Sequence, residues 1–207
     1  MISYPLQMPS SPRVKSIRWK NQTAVARSRS PFTFQSQVQV YQGQAWAADV
    51  TLPKIRNRDD VAKWAAFFLS LNGAEGTFFM GPIDYFRPRG MASGNPVVDG
   101  ANQKGGVLAT AGWTANVSGI LLAGDYIGLG DGADARMYRV LRDVDSDAGG
   151  KASIDIWPRI NVPPGNLAPI EIDNPQTVFY LAGKIPEMES LRDGVDPITF
   201  SAVEDLR

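Results

Sequence analysis

The sequence predicts a mostly β protein: a β-sandwich or barrel scaffold with one packed α-helix at about residues 57–72, and a small OB-like β-barrel inserted into it. Three observations carry this. Twenty glycines and fifteen prolines are spread without a period along 207 residues, which calls for many turns between short elements. Several segments alternate apolar and polar residues, the period of a half-buried strand, while only one shows helical spacing. Finally, the strand-like run Gly76-Thr77-Phe78-Phe79-Met80 breaks off at Pro82 and resumes at residues 176–182, so the stretch between reads as a spliced-in module.

Taken in order, Ile17 and Trp19 sit two residues apart on one face of an early strand. Residues 32–41 alternate strictly, with Phe32, Phe34, Val38 and Val40 on one side and Thr33, Gln35, Gln37 and Gln39 on the other, which predicts a half-buried strand. Residues 46–52 alternate again and stop at Pro53. With Gln42-Gly43-Gln44 between them, the two runs read as a hairpin with a short glycine-containing turn. Asn57 is a good helix N-cap, and Asp59 and Asp60 sit where the helix dipole favours negative charge. Val61, Trp64, Ala65, Phe68 and Leu71 then fall on one helical face, and Asn72-Gly73 supplies a left-handed stop. Phe67 departs from that stripe, so the apolar face must be broad or doubly covered.

The segment after Pro82 is richer in Gly, Ala, Asn and Ser. Residues 124–130 form a short strand, and residues 136–142 and 153–158 flank an Asp/Gly-rich turn as a hairpin. Asn161-Val162-Pro163-Pro164-Gly165-Asn166 marks the return, after which residues 170–172, 178–181 and 198–204 are expected to complete the first domain. The division is thus one discontinuous β-domain, residues 1–82 plus 161–207, carrying an inserted small barrel at residues 83–160.

The chain has no cysteine and no histidine, which removes disulfides, thiolate metal sites, Ser-His-Asp triads and the commonest general base. No cofactor and no enzymatic activity are expected. The N-terminus lacks the pattern of a signal peptide, and the most apolar stretch, residues 64–71, is too short to span a bilayer, so no membrane insertion is expected. Net charge is zero but uneven. Residues 1–82 carry ten basic and four acidic residues (+6), and residues 161–207 carry three basic and eight acidic (−5). Either the two ends pack together within one fold, or basic and acidic faces meet between neighbouring subunits of a head-to-tail ring. The second reading makes Arg13, Lys15, Arg18, Lys20, Glu187, Glu189, Glu204 and Asp205 candidate subunit-interface residues.

The remaining motifs reduce to ordinary structure. Asp143-Val144-Asp145-Ser146-Asp147 has the carboxylate spacing of a calcium loop, but Ala148 stands where the loop needs Gly and Ile154 where it needs a bidentate Glu. Gly128-Leu129-Gly130-Asp131-Gly132 lacks the following helix of a phosphate loop. Asp84, Asp125, Asp131 and Asp134 offer no defined pair for glycoside hydrolysis. The basic N-terminal residues with Trp19 suit phosphate and base contacts, yet Ile17 and Trp19 on one strand face read as core.

Laid out this way, most of the chain resembles a distal tail protein of siphophages, the bacteriophages with long non-contractile tails. The resemblance lies in the order of pieces: Trp19-Lys20-Asn21-Gln22-Thr23-Ala24, then Tyr41-Gln42-Gly43-Gln44-Ala45-Trp46, then a helix closing in Leu71-Asn72-Gly73 before Gly76-Thr77-Phe78. Gly124-Asp125-Tyr126-Ile127, Ile156-Trp157-Pro158-Arg159 and a β-rich tail follow. It implies a virion structural protein, assembled in the host cytoplasm, that forms a hexameric ring at the distal end of the tail tube. The tube protein would lie on one side, the tip or hub protein on the other, and DNA would cross the lumen only in passage. The barrel would sit at the ring's periphery, and the basic N-terminal residues would face neighbouring protein, because a basic channel would retain passing phosphates. Two alternatives stay open: another small β-rich tail protein (tube, terminator or tip attachment), or an OB-like module binding oligosaccharide or single-stranded nucleic acid.

Overall fold

In the computed structural model, residues 2–84 and 87–207 are described; Met1, and Tyr85 and Phe86 close to the expected start of the insert, lie outside the described residues. The scaffold begins with β1 (Leu6–Gln7), β2 (Ser16–Arg29), β3 (Ser36–Thr51), helix α1 (Arg58–Leu71) and β4 (Thr77–Met80). The barrel follows as β5 (Gly94–Val98), β6 (Gly105–Trp113), β7 (Tyr126–Leu129), β8 (Arg136–Val140), β9 (Ala152–Ile160) and β10 (Ile170–Glu171). The chain returns to the scaffold with β11 (Thr177–Leu181), passes a small hairpin of β12 (Ser190–Leu191) and β13 (Gly194–Val195), and ends in β14 (Thr199–Glu204).

The scaffold sheet runs β1-β4-β11-β14-β3-β2. Val178 pairs with Phe79, which is the interrupted sheet resuming after the insert as its sequence suggested. Helix α1 starts where predicted: the Asn57 side chain accepts the Asp59 amide at 2.9 Å, and Asn72 closes it in the left-handed region. Trp64, Phe67, Phe68 and Leu71 are buried against Phe78, Met80 and Phe200, so Phe67 belongs to a broad apolar face. Its ring packs edge-on against Trp64, Phe68 and Phe78 at 5.5–5.6 Å. Gly76 makes the tight turn into β4, where a Cβ would lie 2.6 Å from the Tyr4 ring and 2.8 Å from the Leu71 backbone.

The second sheet, β10-β7-β8-β9-β6-β5, is antiparallel throughout and curls until Val97 of β5 bridges Pro169 beside β10, giving a nearly closed barrel. Ile120, Leu121, Ile127, Val140, Ile154 and Ile156 fill it. The predicted hairpin is present as Arg139 opposite Trp157 and Val140 opposite Ile156.

Two expectations are corrected. Ile170 and Glu171 pair with Leu129 and Gly128, so the barrel extends past residue 160 to about residue 171. The Pro-rich return runs along the barrel wall, where Val98 N–H donates to Ala168 O at 2.9 Å. Gly43 is also not a turn. Residues 36–51 form one long strand paired with Ser16–Arg29, and the reversal lies at Ser30-Pro31-Phe32-Thr33-Phe34-Gln35. As a result Phe32, Phe34, Val38 and Val40, expected half-buried, are 90%, 65%, 46% and 52% exposed.

Candidate subunit interface

The β2–β3 hairpin divides into two parts. Near its root the strands belong to the scaffold sheet: Ile17 and Trp19 lie opposite Val50 and Ala48 and pack on the core, and β14 pairs with β3 from Thr51 to Ala47. Beyond Trp46, β14 no longer accompanies β3. The two strands continue alone from the Asn21–Trp46 pair to the Arg29–Ser36 pair, which at 3.3 Å per residue makes an arm of about 30 Å with its loop. Residues 21–29 and 31–43 of this arm are exposed on both faces, with Ser30 half-buried in the tip. A register shift between Thr23 and Val25 marks a bulge, which bends such ribbons.

An isolated two-stranded ribbon is marginal in water, and an open strand edge is a template for another chain. The arm carries apolar residues that none of the described residues of its own chain covers. Val25 pairs with Val40, and Val38 lies two residues along the same face, each 46–52% exposed. Its tip is nonetheless well defined. Ser30 N–H donates to Gln35 O at 2.9 Å, the Ser30 hydroxyl accepts the Phe32 and Thr33 amides at 3.3 Å, and Arg29 Nε donates to Phe34 O. The Arg29 guanidinium lies 4.6 Å above the Phe34 ring, and Phe34 takes a positive φ of 58°.

At the root, where β3 diverges from β14, an open groove of about 490 Å³ is lined by Gln22, Ala45, Tyr180, Val203, Asp205 and Leu206, together with Ala74, Glu204 and Arg207. Glu204 is turned inward. Its carboxylate accepts the Trp46 amide and the Thr177 hydroxyl, both at 2.9 Å. Burial raises its pKa above the ordinary value, against the opposing pull of those hydrogen bonds and of Arg136. The Tyr138 phenol is pushed up to about 12, by burial first and by the Glu204 charge second. Arg136 spends its guanidinium on the carbonyls of Ala133, Ala135 and Arg207.

The eight sequence-derived candidates are scattered. Arg13, Lys15, Arg18 and Lys20 are all exposed; Arg13 and Lys15 share a second depression with Phe79 and Asp84. Arg18 and Lys20 project from the outer sheet face, where Lys20 pairs with Asp49 at 2.7 Å and, by hydrogen bonding first, holds that carboxyl below its usual range. Glu187 and Glu189 are exposed in the segment between β11 and β12. Asp205 is half-buried and pairs with Arg207 at 2.9 Å. Among the described residues no ion pair joins the four bases to the four acids. The chain ends do meet through Lys54, which reaches Asp193 at 2.8 Å and Asp196 at 3.4 Å.

The other motifs are absorbed by the fold. Asp143, Asp145 and Asp147 accept the amides of Ala123, of Gly119, and of Gly149 and Lys151, respectively. The fully buried carboxylate of Asp125 accepts the Arg89 amide and Nε, the Gly90 amide and the Leu122 amide at 2.8–3.3 Å, which pins the entry of the barrel. Of the apolar residues that the arm exposes, Phe32, Phe34, Val38 and Val40 were read in the sequence as the inner side of a half-buried strand, and Val25 was not singled out. One signal argues against that reading: the opposing strand, Asn21 to Arg29, offers Val25 as its single large aliphatic, too little to build a core face.

The class that this fold and surface define is a mostly β scaffold with a helix and a barrel on its sheet, and a bare two-stranded arm extending from one end. Comparison with protein-family models finds no match, and comparison with curated proteins finds none either.

Proposed function

We propose that this chain is a virion structural protein, a siphophage distal tail protein, that closes into a hexameric ring joining the tail tube to the tip or hub and leaving a channel for tape measure and DNA. The proposal assigns it no catalytic role. One observation carries the reading above all: the arm. A ribbon about 30 Å long, roughly the diameter of a small domain, that exposes aromatic and aliphatic side chains on a chain with an otherwise well-buried core is explained by a neighbour that covers it. Two further features support the reading. The +6 and −5 chain ends leave most of their charges unpaired with one another, as complementary faces of successive subunits would. The order of sequence pieces set out above points to the same family.

Native mass spectrometry and negative-stain imaging of the full chain test it. Closed rings of a single copy number are the expected result. Open stacks would transfer the assignment to a tube protein, and a monomer that persists at high concentration would overturn the ring.

A further inference from the structure

We propose that the arm tip, Phe32 with Phe34 and Arg29, docks into the groove at the arm's root on a second copy of this chain, the groove lined by Gln22, Ala45, Tyr180, Val203, Asp205 and Leu206. This rests on the ring reading and specifies its contact. The tip has the chemistry of a binding anchor. Phe32 is 90% exposed and Phe34 65%; hydrogen bonds to Ser30 hold the loop backbone, and the Arg29 guanidinium lies above the Phe34 ring. On a fixed backbone a Phe side chain has only two χ angles to lose, and aromatic and arginine side chains dominate interface energies.

The groove is complementary in size and charge. A benzene-sized ring occupies a cavity of roughly 150 Å³, so about 490 Å³ admits both rings and leaves room for the guanidinium. Ala45, Val203, Leu206 and the Tyr180 ring supply apolar walls. Glu204 is turned inward and takes no part, but Asp205, held by Arg207 alone among the described residues of its own chain, offers the groove a carboxylate, whereas no acid occurs in the chain before Asp49 and the arm beyond its root carries Arg27 and Arg29.

The occupant follows from the geometry. Tip and groove lie at opposite ends of one ribbon, so no chain can satisfy both within itself. A tip seated in another copy's root leaves that copy's own tip free for the next. This is a heterologous contact, which closes into a ring when the rotation per copy permits. Each arm then lies along its neighbour, where the exposed Val25, Val38 and Val40 face is covered as well.

The absence of cysteine makes a direct test simple. The double variant Thr33→Cys, Leu206→Cys in the full chain should give, on oxidation, a ladder of disulfide-linked oligomers ending at the ring. Disulfides need Cα atoms within about 7 Å, so tip and root about 30 Å apart in one chain cannot link internally. Thr33→Cys with Leu167→Cys, exposed on the barrel, should stay unlinked. In parallel, Phe32→Ser, Phe34→Ser should weaken assembly at least about 30-fold, the size of an interface hot spot, while its circular dichroism and thermal midpoint as a monomer stay unchanged. Rings without the root ladder, or rings that survive the serine pair, would overturn the tip-to-root contact and leave the ring itself standing. An unsubstituted chain that never assembles would overturn both.

Discussion

Glu204 shows what one buried side chain does in this protein. Its carboxyl group joins the Trp46 amide at the arm root to the Thr177 hydroxyl on β11, whose single proton can turn either to Glu204 or to the Ala135 carbonyl before β8. Burial raises its folded-state pKa above the ordinary 4.5, so the protonated form suits the fold better than the ionised one. A raised pKa contributes stability that is complete below the unfolded value and is lost as pH climbs through the folded one. Glu204→Gln keeps an acceptor and cannot ionise. Its stability relative to the unsubstituted chain should therefore improve between about pH 4 and about pH 7. Urea unfolding at both ends of that window measures the change, and a pH-independent difference would refute the burial account. The sequence placed Glu204 among interface charges. The alternation did carry a signal, since Glu204 shares a face with Phe200 and Ala202, but the charge on its side chain spoke against burial.

At the scale of elements, the helix and the arm contrast. Helix α1 was legible because its information is local: Asn57 caps, Asp59 and Asp60 meet the dipole, Asn72 stops, and the apolar stripe has its own period. The barrel hairpin at residues 136–158 was legible for the same reason. The arm was not, because a period of two says that one face differs from the other and not that either is covered. Gly43 invited a turn, yet in the structure it only lets β3 pass beside Ala24, whose Cβ would be 3.4 Å from a Cβ at position 43. The barrel's last strand was assigned to the scaffold because two residues, Ile170 and Glu171, carry no periodicity that would say which sheet they join. If the distal arm contributes nothing to the monomer's core, replacing residues 24–43 by Asn-Gly, a favoured two-residue hairpin turn, should leave monomer stability within about 1 kcal/mol. The same variant should lose all self-association. Urea unfolding and native mass spectrometry read the two consequences separately, and a large loss of stability would mean that the arm supports its own chain.

At the scale of the whole molecule, two cores meet at one tryptophan. Trp46 is fully buried, donates its indole N–H to Met137 O at 2.9 Å, and packs edge-on against Trp157 at 4.4 Å. Tyr126 and Met137, from barrel strands β7 and β8, belong to the scaffold's core cluster, while the neighbouring Ile127 and Tyr138 point into the barrel. The same strands thus serve two cores from their two faces, so neither core can dissolve without exposing the other's wall. The chain should therefore unfold in a single calorimetric transition, although its sequence reads as two modules. Assembly would make the midpoint depend on protein concentration, but it would not change the number of transitions. Trp46→Ala removes the shared ring and should cost about 3–5 kcal/mol, and by freeing the barrel it should split the transition in two. Two separate transitions in the unsubstituted chain would show instead that the seam is too weak to couple the cores, and that the barrel moves as an independent body on the scaffold.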